Sequence, residues 1–292
     1  MATAERGAAA TARLALPRAQ KKRALGPMFW LALAWLGVVF AAAILATVLP
    51  LDDPSKMSLI ARRQGPSLAH WLGTDHLGRD MLARVIHGGR VSLAVGLIAP
   101  FLGLLAGGAL GLLAGYFRGW FETMAMGAMD VLLAFPALVL ALAIIAFLGQ
   151  SVVNVTVVLA LLTVPAATRV TRAATLTFAQ REFVVAARAL GATHLRIMLR
   201  ELLPNVVLPL LVFQLIAVAV IIVAEGTLSF LGLGVPPPTP SWGAMMGDGR
   251  EQLDVAPHIS FVPAIVMFLT VLSFNLIGDT LRTFIDPRRS AL

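Results

Sequence analysis

The chain has 292 residues, 59% hydrophobic and 13% charged, with a formal net charge of +8 and no cysteine. The apolar share exceeds the roughly 45–50% of soluble domains and argues against a soluble globular protein. Without cysteine there are no disulfides or thiolate metal sites. The basic residues are spread over several loops rather than gathered into one nucleic-acid patch.

Residues 1–26 are Ala-rich, with six basic residues and one acidic. They show no sustained apolar periodicity, and their composition predicts a disordered basic tail. Met28 to Leu51 is free of charge. It is longer than the roughly 7–15-residue apolar core of a signal peptide, which predicts an uncleaved membrane helix. Val91 to Phe117 is a second uncharged run. Within it Gly103, Gly107, Gly111 and Gly115 recur every four residues and share one helix face. Such a stripe lets a second helix approach closely. A third span is expected from Thr123 to Gly149, containing Asp130 and Pro136, and a shorter fourth from Val152 to Thr168. The fifth is expected from Leu202 to Ala224, opening with Pro204, and the sixth from Ile259 to Gly278. The expected fold class is an all-α integral membrane protein with six transmembrane helices.

Six spans put both termini on one side. That side collects the N-terminal tail, Arg118, the Arg169–Arg200 segment and the C-terminal tail, with 16 of the 23 basic residues. The other side carries Lys56, Arg62, Arg63, Arg79, Arg84, Arg90 and Arg250. The positive-inside rule then predicts cytoplasmic termini. The two outer loops, about 39 and 34 residues, are too short for a solute-capturing domain.

Between the fourth and fifth spans lies the charged stretch "REFVVAARALGATHLRIMLRELLPN", Arg181 to Asn205. In its first half Phe183, Ala187 and Leu190 fall on one helix face. Gly191 suits the left-handed residue that ends a helix, and Thr193 is a candidate N-cap for the next. Leu195, Met198, Leu199 and Leu202 follow the helical apolar spacing, while Arg196 and Arg200 lie off it. Pro204 fits the first turn of a following helix. The segment reads as a helix-turn-helix hairpin with apolar and basic faces. By itself it suits three roles: an amphipathic loop on anionic lipid, a docking element for a cytoplasmic protein, or a DNA-binding hairpin.

Catalytic motifs are missing. The three lysines, Lys21, Lys22 and Lys56, none of which follows a glycine, leave no phosphate-binding loop. No H-E-x-x-H or G-x-S-x-G occurs, so no catalytic residue is assigned. His70, Asp75, His76, Asp80 and His87 cluster in sequence, but their spacing matches no metal motif, and no metal is expected. Asp130 reads either as a proton relay or as the partner of an arginine or helix end. Gln150, Asn154, Gln214 and Asn275 are candidate pathway residues, with interhelical hydrogen bonding as the alternative.

"VAARALGATHLRIMLRELLP" resembles the cytoplasmic "EAA" loop of binding-protein-dependent ABC importer permeases. Ala186, Ala187, Gly191, Leu203 and Pro204 match that pattern, and Val185 stands where the family usually has Glu. "LGTDHLGRDMLARVIHGGRVSLAVG", "LLAGYFRGW", "DVLLAFPALVLAL", "EGTLSFLGLGVPPPTPSWGAMM" and "FNLIGDTLRTFIDPR" look like the dipeptide/oligopeptide/nickel subfamily, and most like its second, C-type permease subunit. The resemblance covers about residues 25 to 288.

It implies the type I ABC importer permease fold, with a six-helix domain over 27–288, a coupling hairpin at about 178–203 and a short tail over 289–292. Ala186, Ala187, Arg188, Gly191, Leu203 and Pro204 would form the docking hairpin. The implied partners are a second homologous permease, two cytoplasmic ATPase subunits, an extracytoplasmic solute-binding protein and membrane lipid, with no nucleic acid. The chain would bind no cofactor, ATP and Mg being held by the ATPase subunits. The implied location is a bacterial or archaeal cytoplasmic (inner) membrane. The implied solute is a dipeptide or oligopeptide, with nickel or another small solute as the alternative. From another class, an ATP-independent secondary transporter or channel is the rival, and a membrane-anchored DNA-binding regulator a further one.

Overall fold

The computed structural model describes residues 25–285, and these are all-helical apart from one isolated bridge between Thr74 and Asp80. The sequence expectations for most of 1–26 and for the tail at 289–292 lie outside the described residues. The helices are α1 (Pro27–Leu45), α2 (Met81–Phe117), α3 (Gly119–Leu133), α4 (Ala137–Leu148), α5 (Val152–Phe178) and α6 (Glu182–Ala189). They continue with α7 (His194–Phe230), α8 (Trp242–Gly249) and α9 (His258–Ile285).

Among the described residues, five helices are long and apolar enough to cross a membrane: α1, α2, α5, α7 and α9. The expected third span is not one straight helix. It is the pair α3 and α4, bent by 84°. Pro136 explains the break: it donates no backbone hydrogen bond and pushes the residue before it out of the helical region. Counted as one broken span, the pair brings the total to six.

Several helices outrun the uncharged stretches that announced them. Asp80 caps α2, its Oδ1 accepting from Ala83 N at 2.8 Å, so the helix starts ten residues before Val91. Its 37 residues extend about 55 Å, well beyond the ~30 Å hydrocarbon layer. The charged turn bearing Arg84, His87 and Arg90 therefore belongs to a helix that protrudes. α5 continues to Phe178, ten residues past the expected end at Thr168. α7 begins at His194 rather than Leu202. A helix needs no charge-free sequence outside the membrane, so hydropathy marks the span and not the helix.

The centre of the bundle is the pairing of α2 with α5. A Cβ on Gly107 would stand 2.6 Å from Val164 O and 2.8 Å from Ala167 Cβ. Cβ atoms on Gly103 and Gly111 would run into Thr163 and the Thr168 carbonyl, and one on Gly115 would meet Thr175 Cβ at 2.8 Å. The facing Thr163, Thr168, Thr171 and Thr175 each donate to a carbonyl three or four residues back. Their hydroxyls are thus satisfied within α5, and only small groups meet the glycines. α7 packs on this pair, with Ile221 and Leu228 joining Val95, Ala99, Val155 and Leu159 in one buried cluster. α1 and α9 close the outside, where Trp35 Nε1 donates to Thr270 Oγ1 at 3.2 Å.

Candidate functional site

The segment Arg181–Asn205 folds as α6, a tight turn and the first turns of α7. α6 ends where Gly191 takes φ +78°. Thr193 Oγ1 then accepts from Arg196 N at 3.4 Å and opens α7. Pro204 stands in the first turn of the α-helical stretch Leu203–Phe230, as expected, but no loop precedes that stretch. The backbone runs through it from His194 to Phe230, after a π-turn over Ile197–Leu202. Proline cannot donate to the turn before it, and its ring crowds the carbonyl four residues back. A wider turn just ahead relieves that crowding. The second arm of the hairpin and the fifth span are therefore one rod.

The buried face of the hairpin overlaps in part with the face expected from spacing. Val184, Ile197, Met198 and Leu202 are buried with Leu112 of α2, and Ala187 and Leu203 pack at the edge. Phe183, Leu195 and Leu199 are exposed, and Leu190 is 88% exposed. Of the expected face, Met198 and Leu202 turn inward while Phe183, Leu190, Leu195 and Leu199 do not: the ends of α2 and α5 cover the hairpin, and no periodicity encodes their position. The exposed apolar residues share the outward surface with Arg181, Arg196 and Arg200. The turn itself is held down by Tyr116, whose hydroxyl lies 2.8 Å from His194 Nδ1 and whose ring lies under Arg188, 5.9 Å from its Cζ.

Two ion pairs stiffen the same end. Arg169 Nη2 lies 2.5 Å from Asp130 Oδ1, and Arg172 pairs with Glu122. Asp130 thus has an arginine partner, one of the two readings open from sequence. The four pathway candidates are engaged by backbone. Gln150 Nε2 donates to Gly232 O at 2.7 Å, and Asn154 Nδ2 donates to Leu148 O and Gly149 O. Asn275 Nδ2 donates to Val271 O. Gln214 faces Pro100 O and Phe101 N of α2, and bonds to both once its amide is turned so that Nε2 meets the carbonyl oxygen. Gln150 and Asn154 lie together at the α4–α5 turn, while Gln214 and Asn275 stand on α7 and α9.

At the opposite end, α8 lies on α2 and α7. Trp242 is buried; its indole N–H donates to Val85 O at 3.0 Å and its backbone N–H to Ser92 Oγ at 3.2 Å. Ser92 in turn donates to Glu225 Oε2 at 2.9 Å, and Ser229 donates to Oε1 at 2.7 Å. The fully buried Glu225 was missed because the expected span stopped at Ala224. A lone acid beside a long apolar run was the available signal. Of the five residues considered for a metal, His70 and Asp80 meet at 2.8 Å, with Asp52 nearby, while Asp80 also caps α2. Asp75 is committed to Arg79, 2.5 Å from its Nε.

This arrangement contains a lever-like hairpin at one end and a braced loop assembly at the other. Residues 107–291 match the family described as binding-protein-dependent transport system inner membrane component. The chain is 42% identical over 241 residues to the glutathione transport system permease protein GsiD of Pectobacterium atrosepticum, covering 82% of this chain and 80% of that one. It is 42% identical over 251 residues to the protein of the same name from Escherichia coli O1:K1, covering 86% and 83%. The fold resembles a chain of the inward-facing MetNI methionine ABC transporter, with TM-score 0.59 and 18% identity over 70% of this chain and 98% of that one. It also resembles a chain of an amino acid ABC transporter, with TM-score 0.51 and 18% identity over 71% and 94%. The chain therefore belongs to the inner-membrane component family of binding-protein-dependent transport systems, and is a multi-pass membrane permease subunit of an ABC importer.

Proposed function

We propose that this permease forms half of the pathway of an importer for peptide-like solutes, beside a second, homologous permease. Its hairpin docks on a cytoplasmic ATPase, both termini are cytoplasmic, and the α8 end receives the solute-binding protein. ATP and Mg are held by the ATPase subunits. Ala186, Ala187, Arg188, Gly191, Leu203 and Pro204 shape the docking hairpin.

The observation that carries this reading is the unbroken helix from His194 to Phe230. A push on an exposed hairpin made rigid with a span moves that span, whereas a loop resting on lipid needs no such connection. A partner permease is favoured by an apolar cleft of about 430 Å³ between α4, α5 and α7, lined by Leu138, Leu162, Phe213 and Val220. The peptide-like solute is favoured by the similarity to permeases named for glutathione transport.

The test is uptake of labelled glutathione and trialanine by proteoliposomes holding the permease pair and the ATPases, with binding protein outside and ATP inside. The expected result is accumulation that stops when either ATP or the binding protein is withheld. Uptake independent of ATP would overturn coupling, and uptake of nickel but of neither peptide would overturn the solute class.

A further inference from the structure

The end of the bundle opposite the hairpin holds an open cavity of about 510 Å³, lined among others by His76, Arg79, Arg84, Gln150, Asp248 and Gln252. Its size lies in the range of small-molecule sites. Two arginines form part of its wall, and their side chains are only 5% and 4% exposed for Arg79 and Arg84. Buried guanidinium groups require fixed partners.

One partner is Asp75, itself 2% exposed. Its carboxylate accepts from the backbone N–H groups of Leu77 and Arg79, and lies 2.5 Å from Arg79 Nε and 3.5 Å from Arg84 Nε. One buried carboxylate thus serves two buried cations. The second counter-ion, Asp248, is of a different kind. It is 40% exposed, and a single oxygen, Oδ2, stands 3.4 Å from Arg79 Nη2 and 3.6 Å from Arg84 Nη2. Charge-assisted pairs close to about 2.7–2.9 Å. Asp248 is thus held more loosely than Asp75 and at an exposed position. His76 adds a second irregularity on the same wall: its Nδ1 is buried and has no hydrogen-bond partner.

We infer that this cavity is a carboxylate-binding site, in which the Nη2 groups of Arg79 and Arg84 take the carboxylate of a small peptide-like solute and displace Asp248. A free carboxylate can offer one oxygen to each Nη2, where Asp248 shares one oxygen between both. Asp248, loosely held at the rim, keeps the pair neutral until the solute arrives. The site lies on the side assigned above to solute delivery, so the inference rests on that reading.

The experiment uses the assembled permease pair with its ATPases in nanodiscs, without binding protein, and measures binding of trialanine and of trialanine amide by calorimetry. Trialanine should bind more tightly than the amide. Asp248→Asn removes the competing charge at an exposed position. It should tighten trialanine by about tenfold, the scale of one charge-assisted contact, and leave the amide unchanged. Acetate should displace trialanine from the unaltered protein and acetamide should not, an arm that needs no variant. Equal binding of the two peptides, or weaker trialanine binding in Asp248→Asn, would overturn the site. So would tighter docking of the binding protein to Asp248→Asn with trialanine unaffected, because the carboxylate would then come from that protein. Uptake measured on the same preparation separates the two claims. Carboxylate-selective binding without ATP-driven uptake removes peptide import and leaves the site; uptake without carboxylate selectivity removes the site alone.

Discussion

Gly191 takes φ +78°, and beyond its two chain neighbours no residue comes within 4 Å of the point where a Cβ would stand. Its requirement is purely conformational, since a side chain has room but the backbone angle disfavours one. The left-handed region costs an ordinary residue roughly 1–2 kcal/mol and a β-branched one more, while asparagine tolerates it. Gly191→Val should therefore lower both ATPase copurification and solute uptake severalfold at equal membrane levels, and Gly191→Asn should retain most of both. Equal performance of the two variants would show that the turn does not depend on this angle. Val185 is exposed on α6 and leaves that point of the hairpin's outward surface uncharged.

At the scale of elements, the α2–α5 seam sets how closely the two central helices approach. Gly107 and its neighbour Gly108 give a matched comparison. A Cβ on Gly108 would find only Thr171 Oγ1, at 3.9 Å, whereas one on Gly107 would press on backbone atoms of α5. Alanine gains about 1 kcal/mol over glycine in a helix. Separating two backbones costs about 1–3 kcal/mol, and no flexible side-chain tip can yield here. Gly107→Ala should lower the melting temperature of the purified complex, and Gly108→Ala should leave it unchanged or raise it. The opposite order would mean that the seam opens without penalty. The glycine stripe was legible because its four-residue period needs no partner to be recognised. The helix it faces was not, because Thr163, Thr168, Thr171 and Thr175 read as ordinary polar residues until their hydroxyls are seen folded back on α5. The sharp bend between α3 and α4 was foreshadowed by Pro136, yet a proline in an apolar run marks either a kink or a break. The 84° angle belongs to the packing. In the hairpin, Gly191 and Thr193 could be assigned from residue type alone, whereas the buried phase of its helices depends on α2 and α5. The cluster of Asp75, Arg79, Arg84 and Asp248 joins residues more than 160 positions apart, and such pairing leaves no periodic trace.

Across the whole molecule the two ends differ in kind. One carries an exposed hairpin in continuity with a span; the other carries α8, braced to α2 and α7 through Trp242, Ser92 and Glu225. The account requires the first end to be cytoplasmic, because an ATPase and its ATP can reach the hairpin only there. The 16-to-7 division of basic residues favours that orientation. Thr193 lies at the exposed hairpin turn, and Ser67 is exposed in the loop between α1 and α2. The chain has no cysteine, so one introduced cysteine reports without background. The most direct measurement is labelling of Thr193→Cys and Ser67→Cys by a membrane-impermeant thiol reagent in sealed cells, any outer membrane breached and the binding protein removed. The account predicts that Ser67→Cys reacts at once and that Thr193→Cys reacts only after the cells are permeabilised. Labelling of Thr193→Cys in sealed cells, with Ser67→Cys protected, would contradict it.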